Sequence, residues 1–272
     1  MACPKPAGSF INGGMVDLLA IFNPPEVISA RFAQIHQAVL RESRCIGEEN
    51  FRVIGTDDLA LLFRLYEERF FDGWLSKAIA STAGAALTFR LSSTMTRAGG
   101  KTIRRRIALR TGISAPRYEI AIASRMLFMN FSDDDRPVTV CGLACTNRLT
   151  ALQRIMEHEM LHLAEMLVWG KSSCSAPRFK SMAVNVFGHA DTRHELVTPR
   201  ERAEVRHAVK IGSKVEFEID GKRIAGLVNR IHHRATVLVE SPGGMRYRDG
   251  KTYLKYYVPL PMLRVEGAES AK

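Results

Sequence analysis

Apolar residues recur along this chain first at helical spacing, then in alternation, then at helical spacing again, and finally in alternation to the end. Val27, Ile28, Phe32, Ile35, Val39 and Leu40 form one stripe. They predict a helix that opens at Pro24 and Pro25, which suit a first turn, and runs to about Arg44. Leu59, Leu62, Phe63, Tyr66 and Phe70 predict a second helix, with Thr56 as N-cap, Asp57 and Asp58 in the first turn, and a break at Gly73. Ala86 to Ser92, Lys101 to Leu109 and Arg117 to Ala123 alternate as strands do, and Gly99-Gly100 between the first two reads as a hairpin turn. A short segment from Ser124 to Phe131 and the acidic loop Asp133-Asp134-Asp135 follow. Leu152, Ile155, Met156, Leu163, Met166 and Leu167 then predict a long helix from Leu149 to Trp169, with Gly170 as its stop. Pro177 to Phe187 predicts another, ended by Gly188.

Beyond a charged linker helix over Thr198 to Val209, the pattern becomes all-β. Five short alternating runs, divided by Asp220-Gly221 and Pro242-Gly243-Gly244, predict a small barrel. Residues 1–55 read as an N-terminal arm and helix, 56–198 as the main domain, 199–210 as the linker helix and 211–265 as the barrel. The expected class is α+β, with a small antiparallel sheet in the main domain.

Composition changes this picture little. At 272 residues, 46% hydrophobic and 25% charged, the chain reads as a soluble globular protein, and no 18-residue apolar run predicts a membrane span. Met15 to Phe22 is too short and is interrupted by Asp17, so it lacks the apolar core of a secretory signal. The five cysteines are odd in number and scattered, which fits a reducing, cytoplasmic setting better than a disulfide framework.

Charge adds more. The net charge is +11 and the pI about 9.7, which calls for an acidic partner, most simply nucleic acid. Between Arg90 and Arg125 there are nine basic residues and one acid, Glu119. Arg97, Lys101, Arg104, Arg105 and Arg106 are therefore candidate phosphate contacts. From Arg200 onward there are 15 basic and nine acidic residues, with Tyr247, Tyr253, Tyr256 and Tyr257 close by in sequence, a composition that suits either base stacking or a solvated face over core tyrosines.

The long helix carries the chemistry. It contains His158-Glu159-Met160-Leu161-His162. Residues four apart on a helix lie about 40° apart around its axis, so both imidazoles point the same way, one turn apart. This is the HExxH pattern, in which two histidines bind zinc and the glutamate serves as base. A catalytic zinc usually has three protein ligands and one open position. Cys174 is the first candidate for the third ligand, with His189 and His194 as alternatives. Glu165 shares the metal face, seven residues past His158, and suits an orienting role or a salt bridge. Cys141 and Cys145 have no second pair downstream and read as small buried hydrophobes.

These blocks, in this order, resemble the SprT-like zinc metalloprotease domain, the group that includes the DNA-dependent protease Spartan. The resemblance runs from about Asp57 to Leu196 through LFRLYEERFFDGWL, LTFRLSSTMTRAGGKTIRR, YEIAIASRMLF, HEMLHLAEMLVWG and PRFK…VFG. It implies a zincin-like fold, Zn²⁺ held by His158 and His162, Glu159 as general base, peptide-bond hydrolysis, and substrates bound or crosslinked to DNA, with a location in the cytoplasm or at the nucleoid. The chain departs from the family at one point: where the family has His-Gly before its aromatic, this sequence has Ser175-Ala176, with Cys174 adjacent. The C-terminal strands resemble a KOW-type module in place of the family's cysteine-rich ribbon. Two other readings remain at this stage: a nucleic-acid-binding protein that has lost the chemistry, and a general cytoplasmic peptidase.

Overall fold

The computed structural model describes residues 18–108, 114–131 and 136–266. The chain divides into two compact units, Met1–Leu196 and Val197–Lys272. Both mix helix with sheet, so the α+β class holds. The acidic loop Asp133–Asp135 and the arm before Leu18 lie outside the described residues.

The first unit begins with α1 (Pro25–Glu42) and α2 (Thr56–Tyr66). Thr56 is not the cap of α2. Gly55 takes that place, and the Asp58 carboxylate accepts hydrogen bonds from the Gly55 amide through Oδ2 (2.6 Å) and from the Ser43 hydroxyl through Oδ1 (2.6 Å). An acid at the third helical position thus reaches back to the chain entering the helix. A π-turn over Glu67–Phe71 follows, then α3 (Trp74–Ala80).

Strands β1 (Ala86–Leu91), β2 (Gly100–Ala108) and β3 (Ser114–Ile122) form a sheet in the order β1-β3-β2. β1 runs parallel to β3 and β2 antiparallel to it. The expected antiparallel sheet is therefore mixed, and Gly99-Gly100 turns no hairpin, because β3 sits between the two strands it would join. Those glycines are needed for packing. A Cβ on Gly100 would lie 2.6 Å from Glu159 Oε1 and 2.7 Å from Ile155 Cγ2, and one on Gly99 would lie 2.8 Å from Ile155 Cδ1.

After α4 (Ser124–Met129), a short hairpin of β4 (Val138–Val140) and β5 (Leu143–Cys145) turns at Cys141 and Gly142, both with positive φ, as a two-residue hairpin turn requires. The central element is α5 (Arg148–Trp169). The Asn147 side chain accepts from Thr150 N at 2.8 Å to cap its start, worth about 1 kcal/mol. Gly170 ends it at φ +72°. Arg104 of β2 donates from Nη1 to the Gly170 carbonyl at 3.0 Å, satisfying one of the last acceptors of the helix. α5 is buried on nearly every side from Leu149 to Glu165. Tyr66, Phe70 and Phe71 pack on Phe187 of α6 (Pro177–Phe187), with ring centroids 4.8–5.9 Å apart. β6 (His194–Glu195) then adds to β4, with Val140 opposite His194.

The second unit opens with α7 (Pro199–His207), followed by β7 (Lys214–Ile219), β8 (Lys222–Ile231), β9 (Arg234–Arg246), β10 (Thr252–Pro259) and, after a 3-10 turn at Leu260–Met262, β11 (Arg264–Val265). The strands pair antiparallel in the order β10-β9-β8-β7-β11. Among the described residues β10 and β11 remain edges, so the expected barrel is an open sheet. The core gives the reason. Val215, Phe217, Val228, Ile231, Val237 and Val258 bury one face together with Ala203 and Val209, so the segment read as a linker helix covers apolar surface that strand closure would otherwise have to hide.

Candidate metal centre

The helix places His158 and His162 as their spacing requires: their Nε2 atoms lie 3.1 Å apart. Two nitrogens bound to one zinc at 2.0–2.1 Å in a tetrahedral shell lie about 3.3–3.4 Å apart, so the separation already fits one ion. Cys174 joins them, and the donor atoms of His158, His162 and Cys174 all lie within 4.8 Å of one another. These side chains could hold a metal ion. Together with Glu159, Thr102 and His194 they line a cleft of about 580 Å³, in the size range of ligand sites.

Hydrogen bonds decide which nitrogens are free. Ser172 donates its hydroxyl proton to Glu165 Oε2 at 2.5 Å, and its oxygen lies 2.6 Å from His162 Nδ1. With its one proton committed, Ser172 Oγ can only accept, so His162 Nδ1 carries the hydrogen and Nε2 presents its lone pair to the cleft. Glu165 is fixed in turn by Arg178 Nε at 2.7 Å and the Ser173 amide at 3.2 Å, and the Arg178 guanidinium stacks 3.8 Å from the Trp169 ring. Cys141 serves His158 in the matching way. Its thiol donates to the Arg154 carbonyl (3.9 Å) and its sulfur accepts from His158 Nδ1 (3.7 Å). Two lone pairs then face each other across 3.1 Å, an arrangement that a cation relieves.

The electrostatics agree with a ligand set. Burial, followed by the nearby His194 and His162, holds His158 far below the ordinary imidazole range. Burial brings His162 down to about 4 against the pull of Glu165, and brings His194 down to about 4 with help from His189 and His162. All three rings are therefore neutral near pH 7, the form that binds metals. Burial pushes the Cys141 thiol well up, followed by Glu157, which keeps it protonated and suits it to orienting His158 rather than ligating. The rings of His158 and His162 also rest on Phe179 of α6, at 4.9 and 4.5 Å.

Glu159 is buried beside the pair. Burial raises its carboxyl to about 8, while hydrogen bonds from Thr102 act in the opposite direction. The Thr102 hydroxyl lies 2.8 Å from Glu159 Oε2 and 2.9 Å from the Glu159 carbonyl oxygen.

The other sequence candidates separate. His194 lies beside His158, with ring centroids 4.6 Å apart. His189 does not join the cluster; its Nε2 donates to Glu157 Oε2 at 2.8 Å, inside a buried network with Arg154 and Tyr66. Glu165 takes the orienting place that its position suggested. Arg97 and Lys101 line the cleft. Arg104, Arg105 and Arg106 do not form one patch, because alternation along β2 turns Arg104 and Arg106 to the helix side and Arg105 to the other face. Sequence reading missed Ser172, Thr102 and Arg178. The helix-side alternation of β2 after the glycine pair carried a signal for Thr102; nothing local marked Ser172. Comparison of the chain with protein-family models, curated proteins and solved structures returned no significant match. Among the described residues, no helix is long and apolar enough to cross a membrane.

Proposed function

We propose that this chain is a zinc-dependent endopeptidase of the HExxH type. The observation that carries the reading is the pair of Nε2 atoms 3.1 Å apart, with Cys174 within reach and a buried glutamate next in sequence. His158, His162 and Cys174 would hold the ion; imidazole and thiolate together suit zinc. Zinc in such a set acts as a Lewis acid toward a carbonyl oxygen and acidifies water. The remaining steps belong to the chain's own residues. Thr102 holds Glu159 Oε2 and leaves Oε1 to take a proton from the attacking water and to return it to the departing amide nitrogen. Ser172 and Glu165 hold the His162 ring in one tautomer. Among the described residues β2 has a partner on one side only, and its residues Gly100 to Thr102 line the cleft, so an extended peptide can add to that edge and cross over the histidines.

The resemblance of the sequence blocks to the SprT-like group supports protein substrates associated with DNA, and the basic strands before the helix support a polyanion close to the site. The replacement of the family histidine by Ser175 favours a second reading, a nucleic-acid-binding protein without catalysis. Metal analysis of the purified chain together with a protease assay of Glu159→Gln separates the two. The peptidase reading expects one zinc per chain in both proteins and cleavage that falls by about 10²–10⁴-fold in the variant. A folded chain without zinc, or cleavage equal in the two proteins, overturns it.

A further inference from the structure

His158 has a second ring nitrogen, and a second set of donors meets it on that side. Cys141 Sγ lies 3.7 Å from His158 Nδ1, and the donor atoms of Cys141, His158 and His194 all lie within 4.8 Å of one another. A sulfur and a nitrogen bound to one tetrahedral zinc lie roughly 3.5 Å apart, close to that separation. Among the described residues His194 shares no such grouping with His162 or Cys174. Its Nε2 is buried and has no hydrogen-bond partner among the described residues. A buried polar atom left unpaired is costly, so the fold implies a partner that side chains do not supply. The backbone ties the two outer donors together. The Cys141 amide donates to the Arg193 carbonyl at 2.7 Å, the Ala190 and Asp191 amides both donate to the Cys141 carbonyl at 3.0 Å, and His194 lies opposite Val140 of β4. The turn that carries Cys141 and the segment that carries His194 are thus one unit, built before any ion arrives.

We propose that Cys141, His158 Nδ1 and His194 form a second cation position, which takes a thiophilic ion of the cadmium(II) or copper(I) class and excludes the ion held by His158, His162 and Cys174. Exclusion rests on the three-donor reading above, whereas the second position stands on its own distances. A neutral imidazole carries one hydrogen. With an ion on His158 Nε2, that hydrogen is on Nδ1 and points to Cys141. With an ion on Nδ1, the hydrogen sits on Nε2, where it donates to His162 Nε2 at 3.1 Å and occupies the lone pair that the first position needs. Binding at the second position therefore releases the Cys141 thiol proton to solvent, exchanges the His158 hydrogen from Nδ1 to Nε2, and empties the first position. Burial keeps that thiol protonated until then, so the ion competes with a proton, and only a cation with high affinity for thiolate displaces it. A soft cation thereby switches off the site that hydrolysis uses.

Cadmium(II) titrated into the metal-free full chain tests this, read by the thiolate-to-cadmium charge-transfer band in the ultraviolet, with far-ultraviolet circular dichroism as the check on folding. Cys174→Ser removes the thiolate of the first set and should still give that band, at one cadmium per chain. Adding Cys141→Ser to it should abolish the band. Adding His194→Gln to it should weaken cadmium binding by about 10–100-fold or more, at least the loss typical of removing a group that orients a ligand. The parent, with both thiolates, should bind one cadmium per chain and no more. A folded Cys174→Ser protein without the band, or a band that survives the added Cys141→Ser, overturns the second position; a band in Cys141→Ser alone then leaves the three-donor peptidase standing. Two cadmium ions held together by the parent overturn the exclusion. A band in Cys174→Ser with none in folded Cys141→Ser supports the second position and overturns the first.

Discussion

Ser172 stands between His162 and Glu165: its oxygen is 2.6 Å from the imidazole Nδ1 and 2.5 Å from the carboxylate Oε2. The serine hydroxyl has one proton, the carboxylate takes it, and the imidazole must donate. A loop residue thereby sets the tautomer of a ring ten positions earlier. Removing it should weaken the metal site without unfolding the protein. Ser172→Ala is expected to lose about 10–100-fold in zinc affinity, measured by chelator competition, with little change in the melting temperature. Arg178→Leu should act in the same direction through Glu165, with an added loss of packing on Trp169. Unchanged affinity in Ser172→Ala would show that the ring is oriented by other contacts.

Gly100 separates the sheet from α5. A Cβ there meets Glu159 Oε1 at 2.6 Å, Glu159 Cγ at 2.7 Å and Ile155 Cγ2 at 2.7 Å. Ile155 is fully buried and cannot retreat cheaply. Gly100→Ala should therefore cost about 1–3 kcal/mol of stability in a denaturant titration, as overpacking does. Because the displaced group is the proposed base, hydrolysis should fall further than stability explains, while zinc content stays at the parent level. Parent-like cleavage in a destabilised Gly100→Ala protein would argue against Glu159 as the base.

How far the sequence could be read depends on the range of each interaction. The helices are local: the stripe on α1, the apolar positions of α5 and the stops at Gly170 and Gly188 all lie within one element, and spacing alone places them. His158 and His162 share a helix, so their convergence was legible as well. Pairing between distant segments was not. Nothing in Gly99-Gly100 distinguishes a hairpin turn from glycines that admit a helix, and the insertion of β3 between β1 and β2 follows from contacts more than ten residues away in sequence. Alternation predicted the five C-terminal strands, but not that α7 would cover their core in place of closure. In one dimension Cys174 stands first as a third ligand and His189 and His194 remain as alternatives. Only the fold brings Cys174 and His194 to the helix histidines and commits His189 to Glu157.

The outer face of β2 offers a test of the polyanion reading. Arg105 lies directly across from Arg117 of β3, and among the described residues neither forms an ion pair. Like charges placed directly opposite are destabilising, a cost that a bound phosphate reverses. Arg104, on the other face, is occupied by the Gly170 carbonyl. Replacing Arg105 and Arg117 together by Ala should weaken binding to duplex DNA and reduce the slope of log K against log salt by about 1.8, two phosphate contacts at about 0.9 each. Arg104→Ala should leave that slope unchanged and lower the melting temperature through the helix end. A slope unaltered in the double variant would place the phosphate contacts elsewhere on the chain.

Beneath the histidine pair, Tyr66 of α2 ties α5 to its support. Its hydroxyl donates to Glu157 Oε1 at 2.8 Å and accepts from Gln153 Nε2 at 3.1 Å. Gln153 also accepts from His36 at 2.7 Å through Oε1, and Glu157 binds Arg154 and His189. Glu157 is fully buried. Desolvation alone would raise its carboxyl, but Arg154 and His189 outweigh it and hold the group below the usual carboxylate range, so it remains charged. Tyr66→Phe keeps the ring stacked among Phe70 and Phe187 while removing the one hydroxyl that joins Gln153 to Glu157. A buried carboxylate and a buried amide then each lose a partner, at a cost of about 1–3 kcal/mol. The expected result is a lower midpoint in denaturant with an unchanged slope and parent-like zinc affinity, since no metal donor is touched. Tyr66→Phe of parent stability would mean that water replaces the hydroxyl, and a loss of zinc affinity would mean that the network sets the position of His158 as well as the stability of α5.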